Sequence, residues 1–118
     1  MENFHEKRKA LRVEGFFEVF VNFNPETPDK FYCNTRDVSE GGMRIRTKKP
    51  LKDGSHAILT FSLPNHPLEI VVQAIVAWAS TIPKDDNYYE SGIKFLVIND
   101  AEREAIHDYI VQHADRIV

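Results

Sequence analysis

Apolar and polar positions alternate from Val13 onward. Phe17, Val19, Val21 and Phe23 are separated by Glu18, Phe20 and Asn22. Period two with β-branched and aromatic residues predicts a half-buried strand. Asn24 to Asp29 reads as a loop by its turn chemistry. A second strand is expected over about Lys30 to Asp37, broken by Ser39-Glu40-Gly41-Gly42. Met43 to Thr47 alternates again, with Met43 and Ile45 on one face and Arg44 and Arg46 on the other. Further strands are expected over His56 to Leu63, Glu69 to Ala79 and Tyr88 to Val97. Gly92 inside the last marks a bulge or a close backbone approach.

The period then changes. Ala101, Ala105, Ile106, Tyr109, Ile110, His113 and Ile117 follow helical spacing. Asn99 and Glu102 form a capping box, in which the Asn side chain accepts an otherwise unpaired backbone N–H. Six strands followed by one helix predict an all-β fold with one helix. The expected form is a six-stranded antiparallel β-barrel capped by a C-terminal α-helix. In this reading Phe17, Phe61, Trp78, Phe95 and Tyr109 are core. Phe16 and Phe20 point the other way and contact the helix or a partner.

A length of 118 residues suits a single domain. Residues 1–12 are polar and charged, and read as an arm that is mobile unless tied down. Residues 13–118 read as the barrel and its helix. Fifteen basic and 18 acidic side chains leave a net charge of −3, which disfavours non-specific binding of long nucleic acid. No DNA or RNA partner is expected. The N-terminus carries no secretory pattern, and the longest apolar run, Ile70 to Ala79, is too short to span a bilayer. A soluble, cytoplasmic protein without membrane insertion is expected. The single cysteine, Cys33, cannot form an internal disulfide and reads as a packing residue. His107 and His113 are spaced six apart, so they do not share a helix face as a metal pair would. No metal, no cofactor and no catalytic set is expected.

Two elements carry candidate chemistry. Lys7, Arg8, Lys9 and Arg12 crowd together before the first strand. Arg8 and Arg12 make an Arg-x-x-x-Arg pair whose planar guanidinium groups can grip phosphates bidentately and stack on flat bases. Seven arginines produce roughly 0.4 such pairs by chance, so taken alone the pair is a weak motif and a solvated basic arm is the better reading of it. The second element is Asp37-Val38-Ser39-Glu40-Gly41-Gly42. Asp37 offers acceptors suited to a guanine N–H edge. Ser39 either reaches a phosphate or closes the turn on its own backbone. Gly41 and Gly42 open the main chain to a ligand. An ordinary turn also collects these residues, yet Asp-x-Ser-x-x-Gly arises by chance only about 0.014 times in such a chain. Arg44 and Arg46 either extend the basic surface or form a solvated strand face.

Together these elements resemble the PilZ domain family over nearly the whole chain. Arg8-Lys9-Ala10-Leu11-Arg12 is similar to its Arg-x-x-x-Arg arm, and the Asp37 to Gly42 turn to its (Asp/Asn)-x-Ser-x-x-Gly motif. Ile75-Val76-Ala77-Trp78 and Ser91-Gly92-Ile93-Lys94-Phe95 resemble its late strands. The resemblance implies a PilZ-type barrel and, as ligand, the bacterial second messenger cyclic di-GMP. It implies that Arg8 and Arg12 hold guanine edges and phosphates, that Asp37 accepts from guanine N–H groups, and that Ser39 and Gly42 complete the site. Lys7, Lys9, Gly41 and Arg44 are accessory candidates. Lys7 stands where a further arginine often precedes the arm motif, which bears on whether one ligand or a stacked pair binds. The function so implied is a single-domain adaptor that relays cyclic di-GMP to a protein partner. The alternatives are a nucleotide-free interaction module of the same fold and an OB-like barrel for single-stranded nucleic acid, which the acidic balance disfavours.

Overall fold

The computed structural model describes residues 11–23, 30–83 and 87–118. Lys7, Arg8 and Lys9 lie outside the described residues. Among the described residues seven strands form in chain order: β1 Val13–Glu14, β2 Glu18–Asn22, β3 Lys30–Ser39, β4 Gly42–Thr47, β5 His56–Ser62, β6 Glu69–Ala79 and β7 Tyr89–Val97. All pairings are antiparallel. The order β3-β2-β5-β6-β7-β4 closes because β4 also pairs with β3, so six strands make a barrel. The short β1 adds to the β3 edge, through Val13 opposite Val38 and Glu14 opposite Asp37.

The expected first strand is thus divided in two. Gly15 donates its N–H to Arg36 O, and the Phe17 carbonyl accepts from the Thr35 N–H. A side chain at Gly15 would lie 2.6 Å from the Tyr109 hydroxyl. The chain bends there to admit the helix, and glycine is the residue that allows it.

Inward positions of the strands make one core, including Val19, Val21, Met43, Ile45, Leu59, Ile70, Val72 and Val76. Phe17 stacks on Phe61 at 5.6 Å, Phe61 on Phe95 at 6.3 Å, and Tyr109 meets Phe17 edge-on at 6.1 Å. Phe20 packs on Tyr32 rather than on the helix, and Phe16 remains 66% exposed.

Helix α1 covers Asp100–Gln112, with Asn99 and Glu102 forming the expected capping box. Its buried Ala105, Ile106, Tyr109 and Ile110 join the core. Buried Glu102 has a second role. β6 runs past the last paired residue of β7, Val97, and Glu102 Oε2 accepts the Val71 N–H there at 2.8 Å. The helix ends earlier than its spacing predicts. The His113 N–H is shared between Tyr109 O and Ile110 O, and a 3₁₀ turn follows at Ala114–Arg116. Ile117 then bridges Val13, and the Val118 N–H donates to Arg12 O. Extended pairing with the barrel replaces a last helical turn.

Candidate functional site

Two bulges decide which side chains face outward. Along β3, Thr35 sits inside opposite Ile45, both fully buried. Strict alternation would turn Asp37 inward as well. The register instead shifts between Thr35 and Asp37, so Asp37 faces Arg44 while Val38 and Met43 enter the core. The extra residue is Arg36. A one-residue slip moves a side chain to the other face, and bulges do this locally. The Thr35 hydroxyl secures the distortion, lying 3.0 and 3.1 Å from the carbonyl oxygens of Asp37 and Arg44.

The same device acts on β6. Ile70, Val72, Ala74 and Val76 point inward, and alternation places Trp78 with them. The register shifts between Val76 and Trp78, leaving Ala77 as the extra residue. Trp78 is therefore not core: it lies outside, opposite Gly92, and is 45% exposed. A side chain at Gly92 would collide with the indole ring, so the ring covers the glycine. Asp37, Arg44, Gly92 and Trp78 form one row across β3, β4, β7 and β6.

A groove of ≈ 550 Å³ lies over this row, lined also by Arg12, Ser39, Gly42 and Lys94. Asp37 is wholly buried. Its Oδ1 accepts from Arg12 Nη1 at 2.8 Å, and its Oδ2 from Arg44 Nε at 2.9 Å. Arg44 Nη2 lies 2.6 Å from the same Oδ2. The side chains of Arg12 and Arg44 are about one-third exposed, so each holds the carboxylate while remaining partly open to water. Glu90 extends the network, meeting Arg36 at 3.2 Å and Arg44 at 3.9 Å. Three cationic side chains, Arg12, Arg44 and Lys94, line the groove against one acidic side chain, Asp37, among the described residues.

The motif turn is built from within. Ser39 Oγ accepts the Gly41 N–H and donates to Gly42 O, both at 3.3 Å. Its hydroxyl thus closes the turn. The Phe95 N–H donates to Gly41 O at 2.9 Å and ties the turn to β7. A side chain at Gly42 would strike the Ile93 carbonyl, whereas one at Gly41 would meet nothing within 4 Å. Gly42 therefore lets β4 approach β7, and Gly41 is the residue that leaves the surface open. Glu40 reaches helix α1, where its Oε2 lies 2.8 Å from His107 Nδ1. This contact raises the His107 pKa above its usual 6.5, chiefly through the hydrogen bond and charge of Glu40.

Of the sequence candidates, Arg12, Asp37, Ser39, Gly41, Gly42 and Arg44 come together at this groove. Arg46 does not, and stacks on Tyr88 at 4.2 Å instead. Sequence reasoning misses Trp78, assigned to the core, and Lys94. Lys94 was detectable, because it alternates with inward-facing Ile93 and Phe95. Cys33 is buried, and burial, with Glu18 nearby, pushes its thiol up to about 12, so it stays protonated at neutral pH. Among the described residues there is no cluster of three or more His, Cys, Asp or Glu placed to hold a metal ion. None of their helices is long and apolar enough to cross a membrane.

Comparison with known proteins places this geometry. The chain resembles three solved structures at 14–18% identity, a level that speaks to the fold alone. The Bacillus subtilis inhibitor of motility (MotI/DgrA) aligns with a TM-score of 0.74 and 17% identity, over 88% of this chain and 49% of that one. The PilZ domain with c-di-GMP of YcgR from Escherichia coli aligns with a TM-score of 0.68 and 14% identity, over 92% of both chains. Apo K. pneumonia MrkH aligns with a TM-score of 0.66 and 18% identity, over 87% of this chain and 49% of that one. The chain thus spans about half the length of the first and third. A sequence search among curated proteins returns no significant match. The family model for the PilZ domain matches residues 6–112, nearly the whole chain. With the barrel, the helix and the Asp37 to Gly42 turn in place, the chain belongs to the PilZ domain family.

Proposed function

We propose that the chain binds cyclic di-GMP in the groove beside Trp78 and relays it to a protein partner as an adaptor. One observation carries the reading: two arginines hold a buried Asp37 beside a half-exposed indole on the outer face of a PilZ barrel. The ligand is a dianion with two purine faces. The groove's three cationic side chains suit its negative charge. Arginine forks suit phosphates and guanine O6 and N7, and the indole offers a stacking face.

In this reading Asp37 first positions Arg12 and Arg44. A guanine N–H reaches the carboxylate only when Arg12 turns outward, because Asp37 has no exposed side-chain surface. Arg8, four residues before Arg12, supplies a second fork on phosphate or base. Residues 1–12 act as an arm that closes over the ligand, and the closed arm or the barrel face beside it is what a partner reads. Gly41 keeps the rim of the groove low, Ser39 and Gly42 hold the turn, and Lys7 and Lys9 add positive charge. The likeness to the YcgR PilZ domain with c-di-GMP supports the assignment at the level of fold.

Trp78 is the single tryptophan, so its fluorescence reports on the groove directly. Titration with cyclic di-GMP is expected to change its emission saturably, and GMP is not. Arg8→Ala or Arg12→Ala is expected to weaken binding by about 1.5–3 kcal/mol, on the order of ten- to a hundredfold. No response, with no heat in a calorimetric titration, leaves the nucleotide-free interaction module as the function.

A further inference from the structure

The β3–β4 hairpin carries the motif turn at one end. At its other end the two strands separate. The last paired residues are Asn34 and Arg46. From Lys30 to Cys33, β3 pairs only with β2 among the described residues. β4 stops at Thr47, and the chain turns away through Pro50. In antiparallel sheets each strand offers N–H and C=O groups to both sides. Among the described residues, the outer edge of β3 over Lys30–Cys33 is therefore open to a further strand.

A groove of ≈ 1000 Å³ lies along this edge. Half-buried Phe23, Phe31 and Leu51 make its apolar part, and Lys30, Lys48, Lys49 and Lys52 its exposed part. Among the described residues no Asp or Glu lines it, although the whole chain has a net charge of −3. None of these lysines pairs with a described acidic side chain. The lysine-bearing segment is held in place. Thr47 Oγ1 donates to Lys49 O at 2.7 Å, Gly54 N–H to Val76 O at 2.8 Å, and Val76 N–H to Ser55 O at 2.9 Å.

We infer that this groove docks an acidic, extended polypeptide segment of a partner, which adds a strand to β3 between Lys30 and Cys33. Strand addition supplies main-chain hydrogen bonds, and alternate side chains supply specificity. An extended segment presents one set of side chains to Phe23, Phe31 and Leu51 and the other to the lysines. Charge complementarity selects acidic residues for the second set. Single-stranded nucleic acid fits less well. It needs several free aromatic faces for stacking, but Arg46 covers Tyr88, and Tyr32 is the one largely exposed Phe or Tyr ring among the described lining residues. A membrane surface fits less well because the cations rim a concavity. The inference does not depend on nucleotide binding, since the two grooves share no residue.

The test uses the full chain and a short fluorescein-labelled peptide of alternating Glu and Val. Saturable binding is expected, with amide NMR shifts confined to residues 30–34 and 46–52. Combined Lys48→Glu, Lys49→Glu and Lys52→Glu is expected to weaken it by roughly tenfold or more, the scale of reversed interfacial charges. These side chains are exposed, so the melting temperature is expected to hold. Methylating alternate peptide nitrogens on the bonding edge is expected to abolish binding. The inference is overturned by equal binding of a Ser–Val peptide, by unchanged binding of the methylated peptide, or by shifts elsewhere. Tighter binding of oligo-dT or phosphatidylglycerol vesicles than of the acidic peptide also overturns it, as does no binding at all.

Discussion

Arg44 directs both Nε and Nη2 at a single oxygen of Asp37, Oδ2, at 2.9 and 2.6 Å. With Arg12 on Oδ1, a carboxylate with no exposed surface keeps its charge compensated. The arginines of the groove are thus stability elements as well as binding candidates. Arg44→Ala leaves Asp37 buried with one cation. We expect a loss of about 1–3 kcal/mol, the cost of an under-satisfied buried group, measured by urea unfolding. Undiminished stability would mean that the carboxylate finds water.

The two adjacent glycines separate by the same measurement. Gly42→Ala drives a side chain into the Ile93 carbonyl, where backbone must yield. We expect about 1–3 kcal/mol of destabilisation, as for other overpacked sites. Gly41→Ala meets open space, so its stability is expected to stay within about 0.5 kcal/mol of the parent.

Gly92→Ala acts on a side chain rather than on backbone. The added carbon displaces the Trp78 indole, which is already half in water. A red-shifted Trp78 emission with a nearly unchanged melting temperature is the expected result. An unchanged spectrum would show that the ring does not rest on Gly92 in solution.

His107 makes one contact pH-dependent. Glu40 raises its folded-state pKa above the ordinary 6.5, with Asp108 and Glu104 adding to the shift. The charged form is therefore favoured in the folded protein. Its contribution is fully present below the unfolded value and fades as pH rises through the raised folded one. An NMR titration of the His107 ring is expected to show a raised midpoint. Glu40→Gln is expected to bring it back toward the ordinary value.

Element type and order were legible because the burial signal repeats along each element. Five of the six expected strands and the helix start fall within about two residues of where they form, within ordinary boundary scatter. The Asn99–Glu102 box was legible for the same reason, since its partners are three residues apart. Asp37, Ser39 and Gly42 were legible as a motif; turn closure was one of two roles open to Ser39, whereas the role of Gly42 was not legible. Gly42 was read as leaving room for a ligand, yet the space it leaves is filled by the β7 backbone. Nothing local to residues 37–42 reveals a strand that arrives fifty residues later.

The amino-acid sequence alone determined the barrel, its helix and the family motif, because alternation and helical spacing are local properties of the chain. Only the tertiary structure decided which face Asp37 and Trp78 occupy. Alternation counts residues, and an extra residue at Arg36 and another at Ala77 reset the count. A bulge is chosen by the fit of one strand against its neighbours. Here that fit turns an aspartate and a tryptophan outward beside Arg44 and Gly92, onto the wall of one groove.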